Sequence, residues 1–229
     1  MLKSCPPGIL GHKNTSFGVL AMKSKMIVIA LISAFFLTIY NPPTTDAQGF
    51  NTHVVQKGDS MWKISVKYQI GLKEIIQANP TVKNPAMIYP NQKLNIPNID
   101  NVKNVEVGVL KIVNEQRFSA GLKPLEMDWE LSRVARLKSQ DMADKNYFSH
   151  QSPTYGSPFE MMKHFGIQYK MAGENIASGQ QTPQDVMTSW MASPGHRANI
   201  LKPEYTHIGV GYYRGGSYGH MWTQQFITK

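Results

Sequence analysis

The chain has 229 residues, 24 basic against 15 acidic, a formal net charge of +9 and a single cysteine. That length holds one or two domains, either able to bury its own core. One cysteine excludes an intramolecular disulfide framework, and the absence of clustered arginine and aromatic residues argues against a nucleic-acid partner despite the basic charge.

In chain order, Lys23 and Lys25 precede an apolar run over residues 26–40, and the small residues of Thr45-Asp46-Ala47 follow it. This pattern predicts a secretory signal peptide within a leader of residues 1–47, cleaved before Gln48, with no stable transmembrane segment after its removal. An uncleaved anchor is the competing reading, and translation from Met22 or Met26 would leave a more compact signal. Cys5 lies ahead of this segment, so the exported chain is expected to carry no disulfide and no thiol nucleophile. Its positive charge concentrates in residues 52–97, where six lysines face only Asp59 and Glu74. A secreted basic protein suits an anionic wall or spore surface.

Residues 48–97 read as the first domain. Residues 52–56 form a short strand, Lys57-Gly58-Asp59 a turn, and Asp59 is the expected N-cap of a helix with Met61, Ile64, Ser65 and Tyr68 on one face. A second helix carries Leu72, Ile75 and Ile76 and stops at Asn79-Pro80. After Ile88-Tyr89-Pro90, alternation over Lys93-Leu94-Asn95-Ile96 predicts a closing strand. Trp62 and Tyr68, at helical spacing, read as core residues rather than sugar platforms. Residues 98–104 read as a polar linker without core periodicity.

Residues 105–229 read as the second domain. A helix over 107–119 turns Val109, Leu110 and Val113 inward, with Asn114 and Arg117 as structural hydrogen-bonders. Asp128 caps a longer helix with Leu131, Val134, Ala135 and Met142 on one face, ending near Asn146. Ser157-Pro158-Phe159-Glu160 and Thr182-Pro183-Gln184-Asp185 each combine a hydroxyl cap, proline at the first helical position and an acid two residues on. The second of these helices carries Val186 and Trp190, and His164, on the first, reads as a surface residue. Ile208, Val210 and Tyr212 alternate along a strand, and a turn at Arg214-Gly215-Gly216-Ser217 returns the chain as a last strand to Ile227, with His220 near its start. A further strand near Ile176 is weakly signalled. The class is α+β.

Two resemblances extend this reading. The run HVVQKGDSMWKIS with IIQANP, in strand–helix–helix–strand order, resembles a LysM domain of βααβ form. It implies binding of the N-acetylglucosamine backbone of peptidoglycan or a similar glycan, in a groove formed by Gly58, Asp59, Ser60 and Met61, by Asn79, Pro80 and Thr81, and by Ile88, Tyr89 and Pro90. A single LysM copy implies weak binding. The run NYFSH, AGENIASG, SWMASPGHRANIL and HIGVGYY resembles the CAP superfamily (cysteine-rich secretory, antigen 5, pathogenesis-related) in its bacterial form, which implies an α-β-α sandwich.

The CAP resemblance implies a cleft with two histidines and two acids, zinc- or magnesium-binding in some members. His150, Glu174 and His196 match three of the four positions. The second acid is expected just after Trp190, where this chain has Met191-Ala192-Ser193. Two imidazoles and a carboxylate suit zinc with a water as fourth ligand, or a metal-free acid/base set. Alternatively, His150, Glu174, His196 and Arg197 form a hydrogen-bonded network pinning three loops, with Asn175 and Asn199 as loop-fixing residues. Ser149 and Ser193 lie beside histidines, but no Gly-x-Ser-x-Gly elbow supports a serine hydrolase.

Together these features predict a secreted protein of the cell wall or spore envelope of a Gram-positive organism. LysM would hold it on peptidoglycan, and the CAP cleft would serve a binding or structural role, with wall or spore proteins as further partners. A hydrolase using His150, Glu174 and His196, and a carrier of lipid or another small apolar ligand, are the alternatives.

Overall fold

In the computed structural model, residues 49–229 are described; the leader with its signal-peptide reading, and Cys5, lie outside the described residues. Strand β1 (Phe50–Val54) pairs antiparallel with β2 (Lys93–Pro97), His53 opposite Leu94, and helices α1 (Met61–Tyr68) and α2 (Leu72–Ala78) lie between them in sequence. Their apolar faces meet in one core of Val55, Met61, Ile64, Ile70, Ile75, Leu94 and Ile96. Burying each branched side chain there contributes about 2 kcal/mol. This is the expected βααβ unit.

Two local expectations are corrected. The cap of α1 is Ser60, whose side chain accepts from Lys63 N, and not Asp59. Asp59 lies one residue too early and closes the preceding turn, accepting from Gln56 N at 2.8 Å and from His53 Nε2 at 2.9 Å. Trp62 is 55% exposed rather than core. At 100° per residue, the stripe that buries Met61, Ile64 and Ser65 carries its neighbour Trp62 off that face. Tyr68, half-buried, does pack on the core and bonds His53 Nδ1 through its hydroxyl at 3.1 Å.

The stretch expected as an irregular linker is instead helical, because α3 runs from Asp100 to Ser119. Asn98 Oδ1 accepts from Asp100 N at its start, and Asp100 complements the helix dipole. Ile99 packs on the first domain's core, and Lys103 Nζ donates to Tyr68 O at 2.8 Å. Polar contacts fill the junction, which is why no apolar period marks it. A second tie is the two-point ion pair of Arg133 with Glu74, 2.9 and 3.0 Å. It passes so close to Gly71 that a Cβ there would lie 2.1 Å from Arg133 Nε.

The second domain is built on a four-stranded sheet of β3 (Glu126–Met127), β4 (Met171–Ser178), β5 (His207–Arg214) and β6 (His220–Thr228), in the order β3-β5-β6-β4. The β3–β5 pair is parallel and the other two are antiparallel. Helices α4 (Trp129–Asp144) and α5 (Pro158–His164) cover one face; α3, α6 (Pro183–Ala192) and α7 (Pro194–Ile200) cover the other. Alternation along β6 feeds both layers. Trp222 and Phe226 join Val109, Val113, Val186 and Trp190, while Met221 and Ile227 turn toward the α4 side. A Cβ on Gly209 or Gly211 would lie 2.4 or 2.1 Å from the α4 backbone, so those glycines let α4 lie directly on β5. Asp128, Ser157 with Glu160, and Thr182 cap their helices as their spacing predicts.

Candidate functional site

The expected site residues gather at β4, an edge strand of the sheet. Successive strand residues face opposite ways, so Glu174 points to the α4 layer and Asn175 to the α7 layer. Glu174 is buried opposite Gln225 in the register, and Gln225 Nε2 donates to its Oε2 at 3.0 Å. Its Oε1 accepts from His150 Nδ1 at 2.8 Å, and the His150 side chain is 52% exposed. The result is a carboxylate buried in the sheet and capped by an imidazole open to solvent.

His150 sits on the loop after α4, and that loop is held from beneath. Lys138, 1% exposed, donates through Nζ to Ser149 O at 2.7 Å, His150 O at 3.0 Å and the Tyr147 hydroxyl at 3.2 Å. Burial lowers its pKa, offset in part by Glu174 and Asp141. Asp141 accepts from the hydroxyls of Tyr147, Ser152 and Thr154. Burial opposes its ionisation, but these bonds and Lys145 outweigh it and hold the carboxyl below its ordinary value. Sequence reading missed both supports, although Lys138 falls on the apolar stripe of Leu131, Val134, Ala135 and Met142. A charge on a buried face is the signal that marks it.

On the other face, Asn175 Nδ2 donates to His196 O and to Gln224 Oε1, both at 3.1 Å, and its Oδ1 accepts from Asn199 Nδ2 at 2.9 Å. Asn199 also reaches Glu174 O at 3.3 Å. Asn175 and Asn199 therefore fix α7 to β4, as expected. The helix is held through the main chain of His196, leaving the imidazole near His150; burial and that neighbour lower the His196 pKa. Arg197 was expected in this network but is exposed, because the seven-residue α7 buries Ile200 and turns Arg197 to solvent. The buried arginine is Arg117 on α3, which donates to the carbonyls of Lys123, Ile200 and Lys202 at 2.8 Å and of Tyr205 at 3.4 Å. Asn114 clamps Leu125 through both backbone groups.

The donor set fits a metal poorly. Both Glu174 oxygens and His150 Nδ1 are engaged with protein partners, and among the described residues no three of His, Cys, Asp or Glu converge to hold an ion. Ser149 Oγ accepts from Gln151 N, a turn-closing role, and His220 Nδ1 pairs with the Tyr212 hydroxyl at 2.7 Å. Beside Glu174, Gln225 Oε1 is buried with no hydrogen-bond partner.

In the first domain, the expected glycan residues divide by exposure. Met61 belongs to the core. Asn79 is buried and pins β2, exchanging bonds with Asn95 N and O at 2.8 and 2.7 Å. Gly58 takes φ +90° in the turn, and Pro80, Thr81, Tyr89 and Pro90 are exposed. Thr81, Met87, Tyr89, Pro90 and Gln92 help line an open depression of about 600 Å³.

The sequence model of the cysteine-rich secretory protein family (CAP) matches residues 110–226, and that of the LysM domain matches residues 53–97. The chain is 62% identical over 128 residues to the uncharacterized protein YkwD of Bacillus subtilis (strain 168), covering 56% of this chain and 49% of that protein. It thus spans about half the length of that relative. SpoIVD-associated factor A of the same organism is 44% identical over 45 residues, 20% of this chain and 12% of the relative. Among solved structures, an extracellular protein containing a SCP domain from Bacillus anthracis str. Ames aligns with a TM-score of 0.52 and 34% identity, covering 61% of this chain and 47% of that one. With sandwich, caps and family match in agreement, the chain belongs to the cysteine-rich secretory protein (CAP) family and carries a LysM domain ahead of its CAP domain.

Proposed function

We propose that this is a secreted, peptidoglycan-bound protein of the wall or spore envelope, in which the LysM domain binds N-acetylglucosamine glycan and the CAP cleft binds a partner rather than turning over a substrate. The observation that carries it is the LysM unit of residues 53–97 fastened to a CAP domain by the Arg133–Glu74 pair and the Lys103–Tyr68 bond. The depression beside Thr81 and Tyr89 supports the glycan reading: backbone groups there read an acetamide while Met87 and Tyr89 offer apolar surface. The partial likeness to SpoIVD-associated factor A supports the spore niche.

The CAP site supports binding or a structural role because its carboxylate is already committed. Each Glu174 oxygen accepts a bond from a protein side chain, which suits a holding role for the buried carboxylate more than transfer of a substrate proton. The solvent-open His150 favours hydrolysis as the second reading. Cosedimentation with purified peptidoglycan sacculi tests the first. Retention should fall with added N-acetylglucosamine oligomers and with Tyr89→Ala. Retention insensitive to both would sink the glycan reading. Soluble fragments released by wild type but not by His150→Ala would replace the binding role with hydrolysis.

A further inference from the structure

Helix α3 buries Val109, Val113 and Arg117 against the sheet side, and its Gly108 faces Pro183 of α6. Its outward face is not the polar surface this arrangement calls for. Val107 is 53% and Phe118 83% exposed, and a groove of about 420 Å³ runs between them, lined by Val107, Leu110, Lys111, Asn114, Glu115 and Phe118. Those six positions have a definite geometry. Residues 107, 110, 111 and 114 stand at i, i+3, i+4 and i+7, and so do residues 111, 114, 115 and 118. Each quartet is the four-cornered hole that receives one side chain of a packed helix. Two such holes in tandem span roughly 16 Å of axis, enough to seat a partner helix.

We propose that this face pairs with its counterpart on a second copy of the chain, as an antiparallel α3–α3 contact about a twofold axis. An isologous interface must be complementary to itself, and this one is. A twofold placed between positions 112 and 113 sets Phe118 of each copy opposite Val107 of the other, so the two exposed apolar side chains meet at each end of the seam. The two charged side chains of the face, Lys111 and Glu115, have opposite signs and sit one turn apart, 78% and 58% exposed. The same axis sets each Lys111 beside the partner copy's Glu115, so the within-helix pair at 4.0 Å becomes a four-charge cluster across the seam. An unrelated partner would have no reason to match that alternation.

Six residues a side is less than the roughly 800 Å² per partner of a standard interface, so the dimer is weak and concentration-dependent. Such an interface suits a surface-bound protein, because a dimer carries two LysM domains and a second weak glycan contact becomes intramolecular. Only this avidity consequence rests on the glycan reading; the dimer itself does not.

Sedimentation velocity on residues 49–229, which lie within one compact unit, tests the contact without any glycan. The wild-type weight-average sedimentation coefficient should climb with concentration toward the dimer value. Lys111→Glu and Glu115→Lys should each abolish the climb by placing like charges across the axis, and the double swap should restore it. Both substituted side chains are exposed, and unchanged thermal melts would confirm the fold. A wild type that stays monomeric throughout overturns the proposal. So does association that survives the single swaps, or a double swap that fails to restore it.

Discussion

Glu174 and Asn175 are adjacent on β4 but serve opposite layers of the sandwich. Glu174 receives His150 and Gln225 on the α4 side, while Asn175 holds Asn199, Gln224 and the main chain of His196 on the α7 side. Two residues of an edge strand thus tie a loop and a helix to the sheet and bring the two histidines near each other. The consequences for stability are unequal, because Asn175 is fully buried and the His150 imidazole is half open to solvent.

Asn175→Ala should therefore destabilise the protein by about 2–4 kcal/mol, since it strands buried partners on Asn199, Gln224 and α7. His150→Ala should cost less than about 1.5 kcal/mol. Urea denaturation of the two variants decides the matter; equal losses would mean that His150 is as much a structural member as Asn175.

Zinc should bind this site weakly. A ligand at a hundredfold excess over its dissociation constant stabilises the folded state by about 2.7 kcal/mol, which a thermal melt resolves. Melts with zinc, with magnesium and after chelation should coincide. Stoichiometric zinc uptake lost in His150→Ala/His196→Ala would show instead that Glu174 releases its present partners to take a metal.

Much of this architecture was legible in the residues. Helix caps at Asp128, Ser157 and Thr182 and the β5–β6 alternation were readable because each depends on local spacing, whereas the gathering of His150 with Glu174, 24 residues apart, was implied only by the CAP resemblance. Ser60 displaced Asp59 as cap because a turn residue can satisfy either role, and only the His53 contact decides between them. Trp62 misled because its helical spacing with Tyr68 suggested core, whereas the buried stripe runs through Met61, Ile64 and Ser65. The helical junction at residues 100–104 was hidden because its contacts are polar and reach the other domain. Of the supports under the His150 loop, Lys138 left a signal as a charge on the apolar stripe of α4, whereas the three hydroxyls that gather on Asp141 meet only in the fold, which spacing does not encode.

Arg117 holds the end of α7 and the segment after it by three main-chain carbonyls, through both terminal nitrogens, and the connector after α3 by Lys123 O, through Nε. Arg117→Met should cost roughly 3–5 kcal/mol, leaving those carbonyls unpaired in a buried setting. Arg117→Lys keeps the charge but lacks the planar fork that reaches both sides, so it should recover only part of the loss. Denaturant midpoints for the two variants test this. A lysine variant as stable as wild type would show that charge, rather than donor geometry, is what the carbonyls require.

Glu106 gives the fold a defined pH dependence. It is 1% exposed on α3, accepts from Tyr212 N at 3.3 Å and lies 3.3 Å from Arg136 Nε. Burial outweighs the pull of Arg136, Tyr212 N–H and Lys103, and raises its pKa from 4.5 to about 8. Between those values the folded chain holds a proton that the unfolded chain has released. Its stabilising contribution is therefore complete below about pH 4.5 and is lost as pH rises through about 8. Glu106→Gln removes this titration while keeping an amide of similar size to face Tyr212. Urea midpoints from pH 5 to 9 should fall more steeply in wild type than in Glu106→Gln, by on the order of a few kcal/mol across the range. Parallel profiles would mean that Arg136 keeps Glu106 ionised throughout, and that the contact between α3 and α4 is held by a buried ion pair rather than by a neutral acid.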